Sequence, residues 1–226
     1  MSTELQILYA GERLFAKQGI DATSLRQIST AAGQRNTAAA QYHFGDKRKL
    51  IEAVFRHRLG VIDARRHEML ESARKAGRTA DPWELTEILV RPLAEQALRP
   101  GSHYVRFLQR VFEYTGLDVA ALREIGGVDE AVAVGRLLGD RLPHLAGSLV
   151  HRRHRWAGQL IIAGLADLER RSAEPADGDG ASDTTDPEAD ILGLIDAVTG
   201  LLTAPVSERS AARRTAPDTP AAEAVR

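Results

Sequence analysis

The 226-residue chain contains no cysteine. That excludes a disulfide framework, thiolate zinc sites and cysteine nucleophiles, and it fits a reducing compartment. Proline is scarce before residue 175, standing only at Pro82, Pro92, Pro100 and Pro143. No sustained period-two alternation occurs, so helix is expected throughout and strands are not. No segment approaches the roughly 18 apolar residues a membrane span needs. The start, Met1 to Gln6, lacks the basic and apolar regions of a signal peptide. A cytoplasmic protein without membrane contact is expected. Fingerprints of the G-x-S-x-G, P-loop and dinucleotide-binding kinds are missing too, and no catalytic residue, cofactor or metal is assigned.

What the chain does have is enough apolar residue, 43% against 27% charged, to build a packed core. Its net charge of −1 is unevenly spread: residues 1–60 carry nine Lys/Arg against five Asp/Glu. A local cationic face is what phosphate binding requires, whatever the charge of the whole protein.

Apolar periodicity predicts a first helix from Glu4 to Lys17, with Ile7, Leu8, Gly11, Leu14 and Phe15 on one stripe and Gly19 as its stop. A second opens at Thr23 or Ser24, where Ser24 and Gln27 have capping-box spacing; Leu25, Ile28 and Ala32 face inward and Gly33 ends it. A third, short helix is expected from Asn36 as N-cap through Tyr42. Gly45-Asp46 then turns into a long fourth helix whose stripe runs Leu50, Ile51, Val54, Phe55, Leu59, Ile62 and Met69. Further helices are predicted at about 83–98, 102–115, 118–141 (interrupted at Gly126-Gly127), 150–171 and 189–203. Residues 172–188 read as an acidic loop and those from Pro205 onward as a disordered tail. The division expected is a helix-turn-helix unit over 1–46, a helical body over 47–203, and a tail over 204–226.

Two helices joined by a glycine turn, braced by a first, form a tri-helical helix-turn-helix. One helix crosses the phosphate backbone while the next lies in the major groove. Residues 34–43 (QRNTAAAQYH) suit the second role. Three alanines keep the helix slim, while Gln34, Arg35, Asn36, Thr37, Gln41, Tyr42 and His43 offer amides, a hydroxyl, a phenol, an imidazole and a guanidinium, with no acid to repel phosphate. The plain alternative is a small polar helix without a nucleic acid partner.

The stretches LFAKQGIDATSLRQISTAAG (Leu14–Gly33) and YHFGDKRKLIEAV (Tyr42–Val54) resemble the TetR family of bacterial regulators over residues 5 to 55. The resemblance implies an all-α fold: a DNA-binding head and a larger C-terminal domain that binds a small molecule and forms a homodimer. It implies a regulator, commonly a repressor released by its ligand, acting on a palindromic double-stranded DNA operator. Carried over by position, Arg26 reaches a base or phosphate, Ser24 meets phosphate at a helix N-terminus, Tyr42 and His43 contact phosphates, Lys47 clamps the backbone and Phe44 belongs to the core. Two departures fall inside the reading segment. The stretch between Gly33 and Phe44 is one residue longer than the commoner pattern, and Gln41 occupies a position usually held by tyrosine.

For the dimer interface, the stripes Trp156, Leu160, Ile161, Gly164, Leu165, Leu168 and Ile191, Leu194, Ile195, Val198, Leu201, Leu202 are expected to form a four-helix bundle with their copies. Gly164, Gly193 and Gly200 would permit close approach. The alternative is that both stripes pack inside one chain. Candidates for the pocket of an unidentified effector are Trp83, His103, Tyr104, Phe107, Phe112, Glu113 and Trp156, since pockets combine aromatic walls with a few polar groups. His151-x-x-His154, set in His-Arg-Arg-His-Arg, reads as a solvated basic face rather than a metal pair, and DGDG at 177–180 as linker. The rival functions are a helical interaction protein and an enzyme of unrecognised type that does not bind DNA.

Overall fold

The first helix, α1 (Thr3–Gln18), opens where the Ser2 hydroxyl accepts from the Leu5 N–H and stops at Gly19, whose φ of 85° suits glycine. In this computed structural model, residues 1–115, 124, 128–143, 145–173 and 186–210 are described, and among them there is no strand. Next come α2 (Leu25–Ala31), α3 (Ala39–Phe44) and the long α4 (Lys47–Lys75), with Asp46 capping the last of these. The body adds α5 (Pro82–Ala97), which starts with Pro82 in its first turn behind the Asp81 cap, and α6 (Tyr104–Thr115). It is completed by α7 (Asp129–Asp140), α8 (Gly147–Ala173) and α9 (Pro187–Thr203).

The order and type of the expected helices hold within the described residues. The third begins later than expected: residues 34–38 form a turn in which Asn36 Oδ1 accepts from the Ala38 N–H, and regular helix starts only at Ala39. A glycine at φ 71° followed by an Asn turn takes more chain than a single cap. The predicted stretch 118–128 with its Gly126-Gly127 break, the 177–180 segment and the tail beyond 210 fall wholly or mostly outside the described residues.

Two apolar clusters organise the chain. One joins Ile7, Phe15 and Ile28 of the head to Leu50, Val54, Phe55 and Ile62 of α4 and to Tyr104 and Phe107 of α6. The Phe107 ring lies 6.1 Å from that of Phe15 and 5.3 Å from that of Phe55. The other gathers α5, α8 and α9 around Leu85, Val90, Leu138, Leu165 and Ile195. At 1.5 Å per residue, α4 is about 43 Å long and runs from the first cluster to the second.

The α8 and α9 stripes expected at a dimer interface are largely spent inside the chain. Ile161, Leu165, Leu168, Ile191, Ile195, Val198 and Leu202 are buried in the second cluster. Leu160, Leu194 and Leu201 are half-buried against it. Gly164 does permit a close approach, but to Leu194 of the same chain: a methyl group there would lie 3.0 Å from the leucine side chain. A stripe that α5 can cover has no need of a second copy. The basic run is also not wholly solvated. Arg153 turns inward and its Nη1 donates to the Leu202 and Ala204 carbonyls, where the C-terminal end of α9 offers unpaired acceptors.

Two buried ion pairs tie the layers together. Glu12 of α1 receives both arms of Arg58 of α4, at 2.8 and 2.9 Å. The same guanidinium lies over the rings of Tyr9 (5.2 Å) and Tyr104 (5.8 Å). Glu169 of α8, 1% exposed, caps the start of α6: it accepts from Ser102 Oγ, from the Val105 and Arg106 N–H groups and from Arg106 Nε. Replacing Glu169 by Ala strips these donors of their acceptor. It should cost about 3–5 kcal/mol in urea unfolding, with Glu169→Gln, which keeps one acceptor oxygen, costing clearly less.

Candidate DNA-binding interface

The head is small, so its geometry depends on hydrogen bonds as much as on packing. The capping box at α2 is complete: Ser24 Oγ accepts from the Gln27 N–H at 3.2 Å, and Gln27 Oε1 accepts from the Ser24 N–H at 2.7 Å. Ser29, wholly buried, joins the two helices of the motif. Its hydroxyl donates to the Leu25 carbonyl and accepts from the Ala40 N–H at 2.9 Å, which fixes where α3 begins relative to α2. Sequence reading passed over Ser29. The available signal was a small hydroxyl beside Ile28 on the inward face of α2.

The expected contact residues divide into two groups. Arg26, Arg35, Asn36, Thr37, Gln41, Tyr42 and His43 are exposed around α2, the turn and α3, with Tyr42 84% exposed, and Ser24 is exposed at the α2 cap. Gln34 and Lys47 are engaged within the head. Gln34 Nε2 donates to Gln6 Oε1 at 2.8 Å, fastening the turn to α1, and Lys47 Nζ donates to the Ile20 carbonyl at 2.8 Å. His43 Nδ1 lies 3.6 Å from Glu4. Phe44 is half-buried against the first cluster, as its core role requires. Arg48 and Lys49, absent from the expected set, are exposed in the first turn of α4 beside Lys47.

Electrostatics follow from composition: no carboxylate occurs between Asp21 and Asp46. The face built from α2, the turn and α3 therefore carries only neutral and cationic side chains. An α-helix enters the major groove, which is about 12 Å wide, and the alanines of α3 keep its profile narrow.

The residues expected to line an effector pocket do not converge. Tyr104 and Phe107 are buried in the first cluster, with Phe112 against it. Trp83 faces the other way, its Nε1 donating to Asp196 of α9 at 2.7 Å. Glu113 is exposed and paired with Arg110, and Trp156 is 44% exposed. His103 lines a cleft of about 620 Å³ between head and body, beside Tyr9, Arg13 and Arg99. Aromatics at helical spacing had no way to declare which face of the bundle they join. Among the described residues, no three His, Cys, Asp or Glu side chains are grouped to hold a metal ion, and no helix is long and apolar enough to cross a membrane.

Ser29→Ala leaves the buried Ala40 N–H without its acceptor. The variant should lose about 1–3 kcal/mol in chemical denaturation.

The family model for bacterial regulatory proteins of the tetR family matches residues 7–54. A comparison with curated proteins finds no match. Among solved structures, a HlyIIR mutant with an alanine-substituted segment is 17% identical over 90% of this chain and 98% of that one, with a TM-score of 0.53. NalD, secondary repressor of the MexAB-OprM multidrug efflux pump in Pseudomonas aeruginosa, is 19% identical over 91% and 97%, with a TM-score of 0.49. The first likeness extends the shared fold from the head into the body. Residues 7–54 are thus similar to the tetR family of bacterial regulatory proteins.

Proposed function

We propose that the chain is a sequence-specific transcriptional regulator that binds a palindromic operator as a homodimer and is released from it by a small molecule held in the body. The observation that carries this reading is the segment from Ala22 to Gly45, which holds no carboxylate of its own and presents Ser24, Arg26, Arg35, Asn36, Thr37, Gln41, Tyr42 and His43, held in register by Ser29. Arg26 and Arg35 supply charge for phosphates or a bidentate pair for guanine, while Asn36 and Gln41 supply the donor and acceptor that adenine needs. Lys47 serves first as an internal brace on Ile20; its remaining N–H groups and the neighbouring exposed Lys49 are available to phosphates, while Arg48 is paired with Glu52.

One head offers few base contacts, so specificity calls for two, on half-sites about 34 Å apart or multiples of that distance. The inward stripes of α8 and α9 being used, the dimer is assigned to a second stripe on their outer side. Trp156, Leu160 and Ala163 on α8, and Gly193, Ala197 and Gly200 on α9, each follow the i, i+4, i+7 spacing. A methyl group on Gly193 or Gly200 would meet nothing within 4 Å in the single chain. Such a smooth flank beside an exposed tryptophan suits a four-helix bundle across a two-fold axis.

Ala197→Arg alters this flank without touching the core. It should leave the melting temperature of the protomer near wild type while sedimentation velocity shifts from dimer to monomer. A dimer that survives would place the interface elsewhere. For DNA, binding to the region flanking the chain's own gene is measured across a salt series beside Arg26→Ala. The wild type should lose affinity steeply as salt rises, and the variant should bind more weakly with a slope smaller by about one unit in log–log form. Equal affinities and equal slopes would remove Arg26 from the interface.

A further inference from the structure

The cleft between head and body has walls of predominantly one charge. It holds about 620 Å³, with α1 and the end of α2 on the head side and α4 and the turn from Arg99 to His103 on the body side. Three guanidinium groups line it: Arg13 of α1, Arg58 of α4 and Arg99 of the turn. Among the described residues, the one acid in its lining is Glu12, which is 3% exposed and accepts from Nε and Nη2 of Arg58. Three cationic side chains against one acid leave an excess of two positive charges. Arg13 and Arg99 are both exposed and have no carboxylate partner among the described residues. The hydrogen bond found for Arg13 is a long one, from Nη2 to the Ala31 carbonyl at 3.4 Å. His103, on the same wall, feels the same field: burial holds its imidazole below the ordinary range, and Arg106 and Lys17 push it further down.

Like charges lining one concave space concentrate their field there and raise the local concentration of anions. Guanidinium groups suit this role, because each presents paired N–H donors to a carboxylate or a phosphate. A cation would add to the uncompensated charge, and a neutral molecule would leave it as it is. The rest of the lining is not polar: the Tyr9 ring, Ala31, Ala32 and Pro100 form an apolar wall. A bare inorganic ion has no use for that wall. An organic anion uses both, and the volume lies within the range of small-molecule sites.

We infer that this cleft is a binding site for an organic anion, with a carboxylate or phosphate held by Arg13 and Arg99 and an apolar part resting on Tyr9, Ala31, Ala32 and Pro100. Arg58 adds its charge to the site while staying paired with Glu12. Because Arg13 belongs to the head and Arg99 to the body, an anion shared by the two fastens α1 to the turn ahead of α6. The site itself does not rest on the reading of the head as a DNA-binding unit; only its consequence for operator binding does.

The test titrates the full chain by calorimetry, at fixed ionic strength, with phenyl phosphate, hexyl phosphate and benzoate, beside inorganic phosphate, benzyl alcohol and benzylamine. Wild type, Arg13→Gln, Arg99→Gln and Arg99→Lys are compared. At least one organic anion should bind with a dissociation constant below about 1 mM, one per protomer. Inorganic phosphate should bind more weakly, and the alcohol and the amine not at all. Arg13→Gln and Arg99→Gln should each weaken the anion about tenfold, the effect of a lost charge-assisted hydrogen bond, while Arg99→Lys keeps part of the affinity. All three variants should melt near the wild type, since none loses an ion pair within the chain. The inference is overturned if none of the three organic anions binds, if benzyl alcohol or inorganic phosphate binds as tightly as the best of them, or if both glutamine variants bind as the wild type does. A weaker operator affinity with a smaller salt slope in Arg99→Gln, in a chain that binds none of the anions, would give the cleft to DNA phosphates and overturn it as well. Absence of operator binding by the wild type would count against the DNA-binding reading, while the calorimetry would still decide the cleft.

Discussion

The Arg58–Glu12 pair fastens the head to the body, and the direction in which the head points depends on it. A bidentate pair withdrawn from water is strongly destabilised when either partner is lost, because the other is left charged and buried. It also has a geometry of its own, unlike the apolar contacts around it. Phe15, Phe55 and Phe107 supply the area; the ion pair supplies the register between α1 and α4. The rings of Tyr9 and Tyr104 beside the guanidinium extend that register to α6.

α6 is thus the element shared by every layer. Its first turn is held by Glu169 of α8, and its Tyr104 and Phe107 pack on the head. Under the proposed function, a ligand of the body would change the head only by as much as it prefers one arrangement over the other. Since the contacts of the first half of α6 are buried and specific, small displacements there are resolved into a few discrete packings rather than absorbed. Under the proposed function, release from DNA would be a shift in the spacing of two heads and would require no unfolding of either.

Much of the architecture is legible in the chain because the apolar stripes are regular and the stops are explicit. Gly19, Gly33 and Gly45, all with positive φ, end three helices where the sequence indicates. The capping box at Ser24 is likewise local, and local rules sufficed to find it. What stayed hidden are long-range choices. Whether Ile161 and Ile195 meet a copy or their own chain depends on α5, about seventy residues away from the first in sequence and about a hundred from the second. Gln34 and Lys47 look like free donors until Gln6 and the Ile20 carbonyl come to meet them. One signal was available and not used. Glu12 follows Leu8 and precedes Phe15 on the buried stripe of α1, Arg66 follows Ile62 on that of α4, and Glu169 follows Leu165 on that of α8. A charge standing in an apolar stripe marks a buried polar contact, and all three are the contacts on which the fold turns.

The central claim, that two identical heads held by one body read DNA, is tested most directly by selecting ligands for the full chain from a random pool of double-stranded DNA. The account predicts enrichment of an inverted repeat whose half-site centres are separated by about one helical turn or a multiple of it, occupied by the dimer. Recovery of no common sequence, or of a single unrepeated site bound by one protomer, would contradict it.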